Sequence, residues 1–404
     1  MSKIRLAVFF GGRACEHDVS IVSALQCMDA IDASQYEIIP VYIARDGAWY
    51  IGDPLRKLDF LKGFSPDAPG VTRVYPDISA GSGALLSIER KKSLFGAGGD
   101  WLKVAARIDV AHPVMHGLNG EDGTLAGVFE LMNVPYTSAG VLGSAVGMDK
   151  IAMRQLFSGC GFPVLDYIWF TRDEWEKDAG EIIRRAEAKL SYPVFVKPAN
   201  LGSSIGIARA KDETSLREAA AVALSYDRRV IVETGIDNPV EVNCSALGFD
   251  TDISVSVCEM PVRWEEFLTF EEKYLQGGKS AKAGETAGGM ASLKRKIPAP
   301  IDDAKTERIQ SLSREVFRVL DCKGVVRIDF MIGGGDVYIG EINTIPGSLA
   351  FYLWEATGVP YAKLVDRMVE YAYRAHAEKN RAVFAYDSSM LSQTVLGAKG
   401  SKRG

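Results

Sequence analysis

The stretch VVRIDFMIGGGDVYIGEIN, residues 325–343, decides the fold of the carboxyl-terminal part of the chain. Two apolar, strand-like runs flank a short Gly/Asp linker, a pattern that predicts a β-hairpin. Because side chains alternate between the two faces of a strand, Arg327 and Asp329 share one face, and so do Glu341 and Asn343. A register that pairs odd with odd positions brings all four onto one surface, whereas a one-residue slip separates them. We predict the clustered register.

Such a polar surface on a rigid hairpin has two interpretations. Two carboxylates and a carboxamide offer the hard oxygen ligands that suit Mg²⁺, which usually binds one or two carboxylates together with nucleotide phosphates. An arginine beside them would stabilise negative charge that develops during a reaction. Alternatively, Arg327 forms a structural ion pair with Asp329 or Glu341 on a solvated sheet face. The hairpin alone leaves both interpretations open.

The composition of the chain limits what it does. The chain has 404 residues, which predicts two or three domains, and 47% hydrophobic with 25% charged residues is typical of a globular protein. The formal net charge of −5 argues against nucleic acid as the main partner. No apolar run approaches the length of a membrane span, and the six cysteines lack metal or disulfide spacing. We therefore expect a cytoplasmic protein that acts on small molecules, with no membrane partner.

A pass along the chain predicts three α/β domains. Residues 1–143 alternate strand, helix and strand, which predicts a parallel sheet, and we interpret residues 49–99 as an irregular surface insertion. Residues 144–235 predict a compact second domain whose tight turns favour antiparallel strands. Residues 236–380 contain the hairpin and form the third domain, with a mobile loop at 277–289. The tail, 381–404, is predicted to be flexible.

Further polar residues lie at predicted strand ends. In VFVKPANLGSSIGIA (194–208), Lys197 ends a strand, and the Gly/Ser turn that follows either aims N–H groups at an anion or is only a turn. Glu233 ends another strand, where an exposed backbone edge could accept a purine amino group; the alternative is an ordinary strand end. His116 precedes a loop at the carboxyl end of a strand, where α/β sheets bind ligands. Glu16 lies just before a helix.

Taken in order, these motifs resemble the D-alanine–D-alanine ligase family of the ATP-grasp superfamily. The resemblance runs from about residue 4 to residue 375. The motifs that carry it are FFGGRACEHDVS, HGLNGEDGTLAGVFELMNVPYT, GMDK, VFVKPANLGSSIG, FEEKYL, VVRIDFM and GEINTIPG. It implies a three-domain ATP-grasp architecture with an amino-terminal, Rossmann-like parallel-sheet domain.

The resemblance also implies an ATP site between the second and third domains. The residues expected to contact ATP are Lys150, Lys197, Ser204, Glu233, Ile236, Glu241 and Lys273. Asp329, Glu341 and Asn343 would hold two Mg²⁺ (or Mn²⁺) ions. The family is commonly dimeric, so a homodimer is expected.

The implied reaction joins two D-alanines through a D-alanyl phosphate, giving D-alanyl-D-alanine for peptidoglycan synthesis. Arg327 and the backbone N–H of Gly347 would stabilise the tetrahedral oxyanion, and Glu16 would hold the first substrate's ammonium, with His116 near its carboxylate. By the same resemblance, Ser203 and Tyr274 would bond with Glu16 as a mobile loop closes over the site. Relatives that make D-alanyl-D-lactate carry a histidine near the position of Tyr274, and FEEKYL contains none, which favours an amine over a hydroxy acid as the nucleophile.

One motif departs from the family pattern. After Gly347 the chain continues SLAFYLWEATG (348–358), where relatives usually have a Ser/His run that binds the second substrate's carboxylate. Ser348 and the Tyr352 hydroxyl remain as candidate partners for that carboxylate. Either the segment is only repacked, or the second-substrate pocket has a different preference, such as D-serine. A non-catalytic nucleotide-binding relative and another kind of carboxylate–amine ligase are the remaining alternatives.

Overall fold

The computed structural model describes residues 2–91, 99–261 and 295–384. Lys273, Tyr274, the 277–289 loop and residues 385–404 lie outside these ranges, and so do the expectations that fall on them. Strands are numbered β1–β17 and helices α1–α10 in chain order. Within the described ranges, no helix is both long and apolar enough to cross a membrane.

The amino-terminal sheet has seven strands in the order β6-β5-β4-β3-β2-β1-β7. Strand β1, which lies next to the edge strand β7, runs parallel to both β2 and β7, and α1 is the next element after it in the chain. The strands are β1 (Ile4–Gly11), β2 (Tyr36–Ile43), β3 (Trp49–Ile51), β4 (Thr72–Pro76), β5 (Ala84–Lys91), β6 (Gly99–Arg107) and β7 (Val110–Pro113). The helices are α1 (His17–Ala30), α2 (Leu58–Lys62) and α3 (Thr124–Met132), with a 3-10 turn at Asp53–Arg56. The predicted parallel core of this domain is confirmed.

The interpretation of residues 49–99 as an irregular insertion is wrong. Strands β3, β4 and β5 lie in this segment and extend the sheet antiparallel from β2, and β6 pairs with β5 at the edge. Their exposed positions and the Gly, Ser and Pro residues between them hide the alternation that marks a strand. Tertiary pairing with β2 decides their conformation more than local preference does.

The second sheet is antiparallel, as predicted, with strand order β10-β9-β11-β8. Its elements are α4 (Val141–Met148), α5 (Lys150–Gly159), β8 (Tyr167–Thr171), α6 (Arg172–Lys189), β9 (Val194–Pro198), β10 (Ala208–Ala210), α7 (Glu213–Tyr226) and β11 (Arg229–Thr234). Helices α6 and α7 both begin with capping boxes, at Thr171 and Asp212, which satisfy their first N–H groups. The apolar faces of these helices cover one side of the sheet.

The third sheet has the order β13-β12-β16-β17 and is also antiparallel. Its elements are β12 (Val240–Phe249), β13 (Asp252–Val255), α8 (Asp303–Val319), β16 (Lys323–Gly333) and β17 (Asp336–Asn343). A separate pair, β14 (Met260–Pro261) and β15 (Arg295–Lys296), lies beside it. A 3-10 turn (Gly347–Ala350), α9 (Phe351–Ala356) and α10 (Tyr361–Lys379) follow.

The hairpin register is the predicted one. Arg327 lies opposite Asn343 and Asp329 opposite Glu341, so the four polar residues share a face. On the other face, Val326, Ile328 and Phe330 pack in one core cluster with apolar residues of α8. The third sheet therefore has one side in the core and one polar side.

Candidate active site

The polar face of the hairpin carries a tight ion pair. Arg327 donates from Nε to Asp329 Oδ1 at 2.6 Å and from Nη2 to Oδ2 at 2.7 Å, and Asn343 Nδ2 donates to the same Oδ2 at 3.1 Å. The structural interpretation of the cluster is therefore correct as far as the ion pair goes. A bidentate pair of this kind also orients the guanidinium rigidly.

The same face suits a divalent cation. Burial raises the pKa of Asp329, and the nearby Glu341 and Glu259 raise it further against the opposing effect of Arg327. Concentrated negative charge of this kind is relieved by a bound cation. Two carboxylates and a carboxamide are the ligand types that Mg²⁺ accepts alongside water and phosphate oxygens. Asp329, Glu341 and Asn343 therefore fit the metal that the sequence predicted.

Glu16 joins the amino-terminal domain to the Gly/Ser turn of the second domain. Its carboxylate Oε1 accepts a hydrogen bond from Ser203 Oγ at 2.7 Å, across 187 residues of sequence. The side chain is buried and passes between two glycines, because a Cβ at Gly117 or Gly202 would lie within 3 Å of a Glu16 oxygen. Although Glu16 is the N-cap residue of α1, its side chain makes no capping bond. The predicted contact between these two residues is present.

His116 is fully occupied by protein contacts. Its Nδ1 lies 2.8 Å from the carbonyl oxygen of Ile345, so Nδ1 carries the proton, and Nε2 accepts from Ser23 Oγ at 2.9 Å. Burial lowers the pKa of His116 to about 4. The ring is therefore neutral near pH 7, and it ties the amino-terminal domain to the segment after β17.

Lys197 and Glu233 form a buried charge cluster with Arg154. Glu233 accepts from Arg154 Nε at 2.5 Å and pairs with Lys197 Nζ at 2.6 Å. Burial alone would raise the pKa of Glu233, but the two cations outweigh it and lower that pKa to about 2. The prediction of an exposed backbone edge at Glu233 is wrong, because β11 is an inner strand paired with both β8 and β9.

Lys150, Ile236 and Glu241, three other residues predicted to contact ATP, lie around the junction of the second and third sheets. Lys150 begins α5, and its Nζ donates to the carbonyl of Leu201 in the Gly/Ser turn at 2.6 Å. Burial lowers its pKa, with Glu341 opposing that effect. Glu241 pairs with Met331 on β16, and Ile236 lies against Gly333 at the end of the same strand.

Comparison with known proteins agrees with this arrangement. The family models described as "D-ala D-ala ligase N-terminus" and "D-ala D-ala ligase C-terminus" match residues 5–139 and 156–370. The chain belongs to the D-alanine–D-alanine ligase family. The D-alanine–D-alanine ligase of Heliobacterium modesticaldum is 39% identical over 94% of this chain and 98% of its own length. That of Acetivibrio thermocellus is 36% identical over 93% and 97%.

Solved structures of this ligase family have the same fold. The VanG D-Ala:D-Ser ligase from Enterococcus faecalis matches with a TM-score of 0.76 at 29% identity, covering 92% of this chain and 100% of that one. The D-alanine-D-alanine ligase from Coxiella burnetii matches with a TM-score of 0.74 at 26% identity, covering 94% and 97%. The predicted three-domain ATP-grasp fold class is confirmed.

The segment in which this ligase departs from the family pattern adopts a left-handed turn. Ser348, Leu349 and Ala350 all have positive φ, at 48°, 55° and 50°. The Ser348 hydroxyl donates to Gln26 of α1 at 2.8 Å, and the Tyr352 hydroxyl donates to Glu259 at 2.9 Å. Both predicted partners of the second substrate's carboxylate are thus hydrogen-bonded within the protein.

The other aromatic residues of this segment are packing residues. Phe351 stacks on Tyr361 with ring centroids 4.5 Å apart, and the buried Trp354 donates to Ser245 Oγ at 2.9 Å. Repacking therefore accounts for these two aromatics. Tyr352 differs from them, because it joins the charged group around Glu259.

Sequence reasoning missed two carboxylates of the site. Glu121 accepts from the N–H groups of Gly117 at 2.8 Å and Ile345 at 3.0 Å, and burial raises its pKa to about 7. Glu259 accepts from Asn243, Tyr352 and Arg295. Glu121 stands inside the quoted motif HGLNGEDG, which could have drawn attention to it, whereas Glu259 precedes a two-residue strand with no distinctive pattern.

Proposed function

We propose that this protein is an ATP-dependent ligase that joins two D-alanines and supplies D-alanyl-D-alanine for peptidoglycan synthesis. Family membership over nearly the whole chain supports the activity. One observation links this activity to particular residues. The hairpin places four polar side chains on one face: Arg327, Asp329, Glu341 and Asn343. An inactive nucleotide-binding relative would have no need to retain this set.

The proposed reaction has two steps. The γ-phosphoryl group of ATP passes to a carboxylate oxygen of the first D-alanine, giving D-alanyl phosphate and ADP. The amine of the second D-alanine then attacks the carbonyl carbon, the C–N bond forms, and inorganic phosphate leaves. Arg327 and the N–H of Gly347 stabilise the oxyanion of the tetrahedral intermediate. Glu16 holds the ammonium of the first D-alanine, and neutral His116 keeps the neighbouring backbone in place.

The nucleotide lies between the second and third sheets in this proposal. Lys150, Lys197 and Lys273 neutralise its phosphates, and Ser204 also contacts them. Glu233 and Ile236 border the adenine, and Glu241 binds the ribose. Two Mg²⁺ or Mn²⁺ ions on Asp329, Glu341 and Asn343 would supply charge neutralisation at the transferring phosphoryl group. Tyr274 completes the contact of Glu16 with Ser203 when the site closes, keeping the acyl phosphate from water.

A second candidate substrate is D-serine in place of the second D-alanine. The departure at residues 348–358 favours considering it, and one similar solved structure is a D-Ala:D-Ser ligase. The two candidates share the first step and differ only in the nucleophile.

Phosphate release from ATP and Mg²⁺ tests the proposal, with D-alanine alone, D-alanine plus D-serine or D-lactate, and L-alanine. Product masses should show D-alanyl-D-alanine from D-alanine alone. A product only with D-serine present would select the second candidate, and no turnover with any substrate would favour the non-catalytic alternative.

Arg327→Ala should keep ATP binding and lower kcat about 10²–10³-fold. Normal turnover of that variant would remove the oxyanion role.

We also propose a cytoplasmic homodimer. The net charge of −5 and the scattered cysteines support a reducing, soluble environment. Light scattering at micromolar concentration should give twice the mass of the chain. A measured mass equal to that of one chain would contradict the proposed dimer.

A further inference from the structure

Arg154 is a buried arginine to which the proposed reaction gives no role. It lies one turn after Lys150 on α5, so the two side chains extend from the same face of that helix. Arg154 Nε donates to Glu233 Oε1 at 2.5 Å, and Nη1 donates to the carbonyl of Ile339 on β17 at 2.9 Å. Because two acceptors on different sheets hold the guanidinium, its position is fixed.

Glu233 has a second cationic partner, which is more mobile. Lys197 on β9 lies opposite Ile231 on β11, so Lys197 and Glu233 extend from the same face of the second sheet. Lys197 Nζ lies 2.6 Å from Glu233 Oε2. The Lys197 side chain is 18% exposed, whereas those of Glu233 and Arg154 are both 2% exposed. A lysine ammonium ends a flexible stem, so Lys197 is the cation that can leave Glu233.

Lys150 indicates where Lys197 can move. Burial lowers the pKa of Lys150, and the charges of Lys197 and Arg154 act in the same direction. The ammonium groups of Lys150 and Lys197 are therefore close enough to repel each other, and phosphate oxygens between them would relieve that repulsion. The proposed function assigns the phosphates of ATP to these two lysines. When Lys197 turns to a phosphate, it gives up its ion pair with Glu233.

That movement has a consequence for the buried carboxylate. If Lys197 were the sole partner of Glu233, its departure would leave a buried charge without compensation, which is strongly unfavourable. Glu233 would then hold Lys197 back from the phosphates. Arg154 removes this penalty, because it stays on Oε1 while Lys197 leaves Oε2. With ATP bound, Arg154 and Glu233 remain as a one-to-one pair, and the phosphates neutralise Lys197.

We propose that Arg154 is a positioning residue that releases Lys197 from Glu233 to the phosphates of ATP. It acts through Glu233 and does not contact the nucleotide. The inference rests on the proposed function, which assigns Lys197 to the phosphates, and it adds a residue that the family resemblance did not name. The bond to Ile339 supports this role, since it keeps the guanidinium in place while Lys197 moves.

Nucleotide binding without turnover tests this role. The probe is the non-hydrolysable ATP analogue AMPPNP with Mg²⁺, and its Kd is measured by calorimetry on variants whose folding is checked by circular dichroism. Arg154→Met should raise this Kd ~10–100-fold, because Lys197 then has to leave an unpaired carboxylate. Adding Glu233→Gln to Arg154→Met removes that carboxylate and frees Lys197. The double variant should therefore bind AMPPNP more tightly than Arg154→Met does, which a merely structural role of Arg154 would not produce.

Two further variants separate charge from packing. Arg154→Lys retains the compensating charge but loses the bond to Ile339, and its Kd should stay within about threefold of the wild type. This variant also keeps the test usable if Arg154→Met does not fold, because a tenfold or larger loss in it would overturn the role. Arg5→Met is the matched control, since it breaks an ion pair with Asp109 in the first domain, and its Kd should equal that of the wild type.

The outcomes distinguish this role from the function on which it rests. A wild-type Kd in Arg154→Met, or a double variant that binds no better than Arg154→Met, overturns the role of Arg154 and leaves the ligase function standing. No binding of AMPPNP to the wild type contradicts the proposed function, and the role of Arg154 with it.

Discussion

At the scale of single residues, the backbone after Gly347 is the most strained part of the site. Ser348, Leu349 and Ala350 have left-handed φ values, and such a conformation costs an L-residue ~1–2 kcal/mol. All three are buried, and the Ser348 N–H donates to Ser23 Oγ at 3.1 Å. The same Ser23 hydroxyl donates to His116 Nε2. Contacts from α1 therefore compensate the strain. The amino-terminal domain in this way shapes a segment of the third domain.

Replacing Ala350 by glycine tests this account of the strain. Ala350→Gly removes the left-handed penalty at φ 50° and deletes only one buried methyl group. We expect unfolding free energy to be unchanged or up to ~1 kcal/mol higher. Ala372→Gly is the matched control, because Ala372 is equally buried but lies inside α10, where glycine costs ~1 kcal/mol. The unfolding free energy of both variants is measured by urea unfolding. An equal decrease in the two would contradict the proposed strain at Ala350.

Glu121 gives the molecule a pH dependence. Burial raises the pKa of Glu121 in the folded state to about 7, from its ordinary value of 4.5. The folded state therefore binds the proton more tightly, so the contribution of Glu121 to stability is fully present below about pH 4.5 and declines as pH rises to about 7. The stability difference between wild type and Glu121→Gln should fall across this window and level off above it. A constant difference from pH 4.5 to 8 would show that Glu121 titrates normally.

At the scale of secondary structure elements, one β-bulge decides whether the site exists. The turn Gly334–Gly335 pairs Gly333 with Asp336, and this register continued along the strands would place odd positions opposite even ones. The register shifts between Asp329 and Phe330, which leaves Gly340 as the extra residue and sets Asp329 opposite Glu341. The bulge thus turns the acidic side chains of the two strands to the same face.

Gly340 is required for that bulge. A Cβ at this position would lie 2.8 Å from the backbone oxygen of Asp329. Gly340→Ala should lower unfolding free energy by ~1–3 kcal/mol and weaken the Mg²⁺ dependence of turnover, since Asp329 and Glu341 move apart. Gly127→Ala, in α3 with no atom within 4 Å of the new Cβ, should be neutral or stabilising. A Mg²⁺ titration of Gly340→Ala identical to that of the wild type would remove this role of the bulge.

The same elements show how far sequence reasoning reaches. Strand alternation was sufficient to predict that Arg327, Asp329, Glu341 and Asn343 share a face, because burial of the opposite face rules out the other register. It could not predict the bulge, which depends on close backbone approach at Gly340. Strands β3–β5 were not predicted from the sequence, because they form through long-range pairing and have no clear local pattern. The contacts of Glu121 with Ile345 span 224 residues, so no local pattern could reveal them.

At the scale of the whole molecule, three contacts between domains surround one reaction space. Glu16 bonds to Ser203, joining the first and second domains, and His116 bonds to the carbonyl of Ile345, joining the first and third. Arg154 of α5 donates to the carbonyl of Ile339 in β17 at 2.9 Å, joining the second and third. The site is therefore assembled only when all three domains are in contact. Such assembly also excludes water. An acyl phosphate intermediate requires this exclusion, because water would hydrolyse it.

The bond between Glu16 and Ser203 should therefore control the yield of dipeptide per ATP. Ser203→Ala removes the hydroxyl that reaches Glu16 at 2.7 Å and loosens the contact between the first two domains. Water then competes for D-alanyl phosphate, so phosphate released per dipeptide formed should rise clearly above one, with kcat/KM ~10-fold lower. Ser225→Ala is the control, because this exposed serine of α7 donates to the carbonyl of Val222 in the same helix, and it should keep the ratio near one. Phosphate and dipeptide are measured in the same reaction. A ratio of one in Ser203→Ala would mean that the hydrogen bond positions substrate without sealing the site.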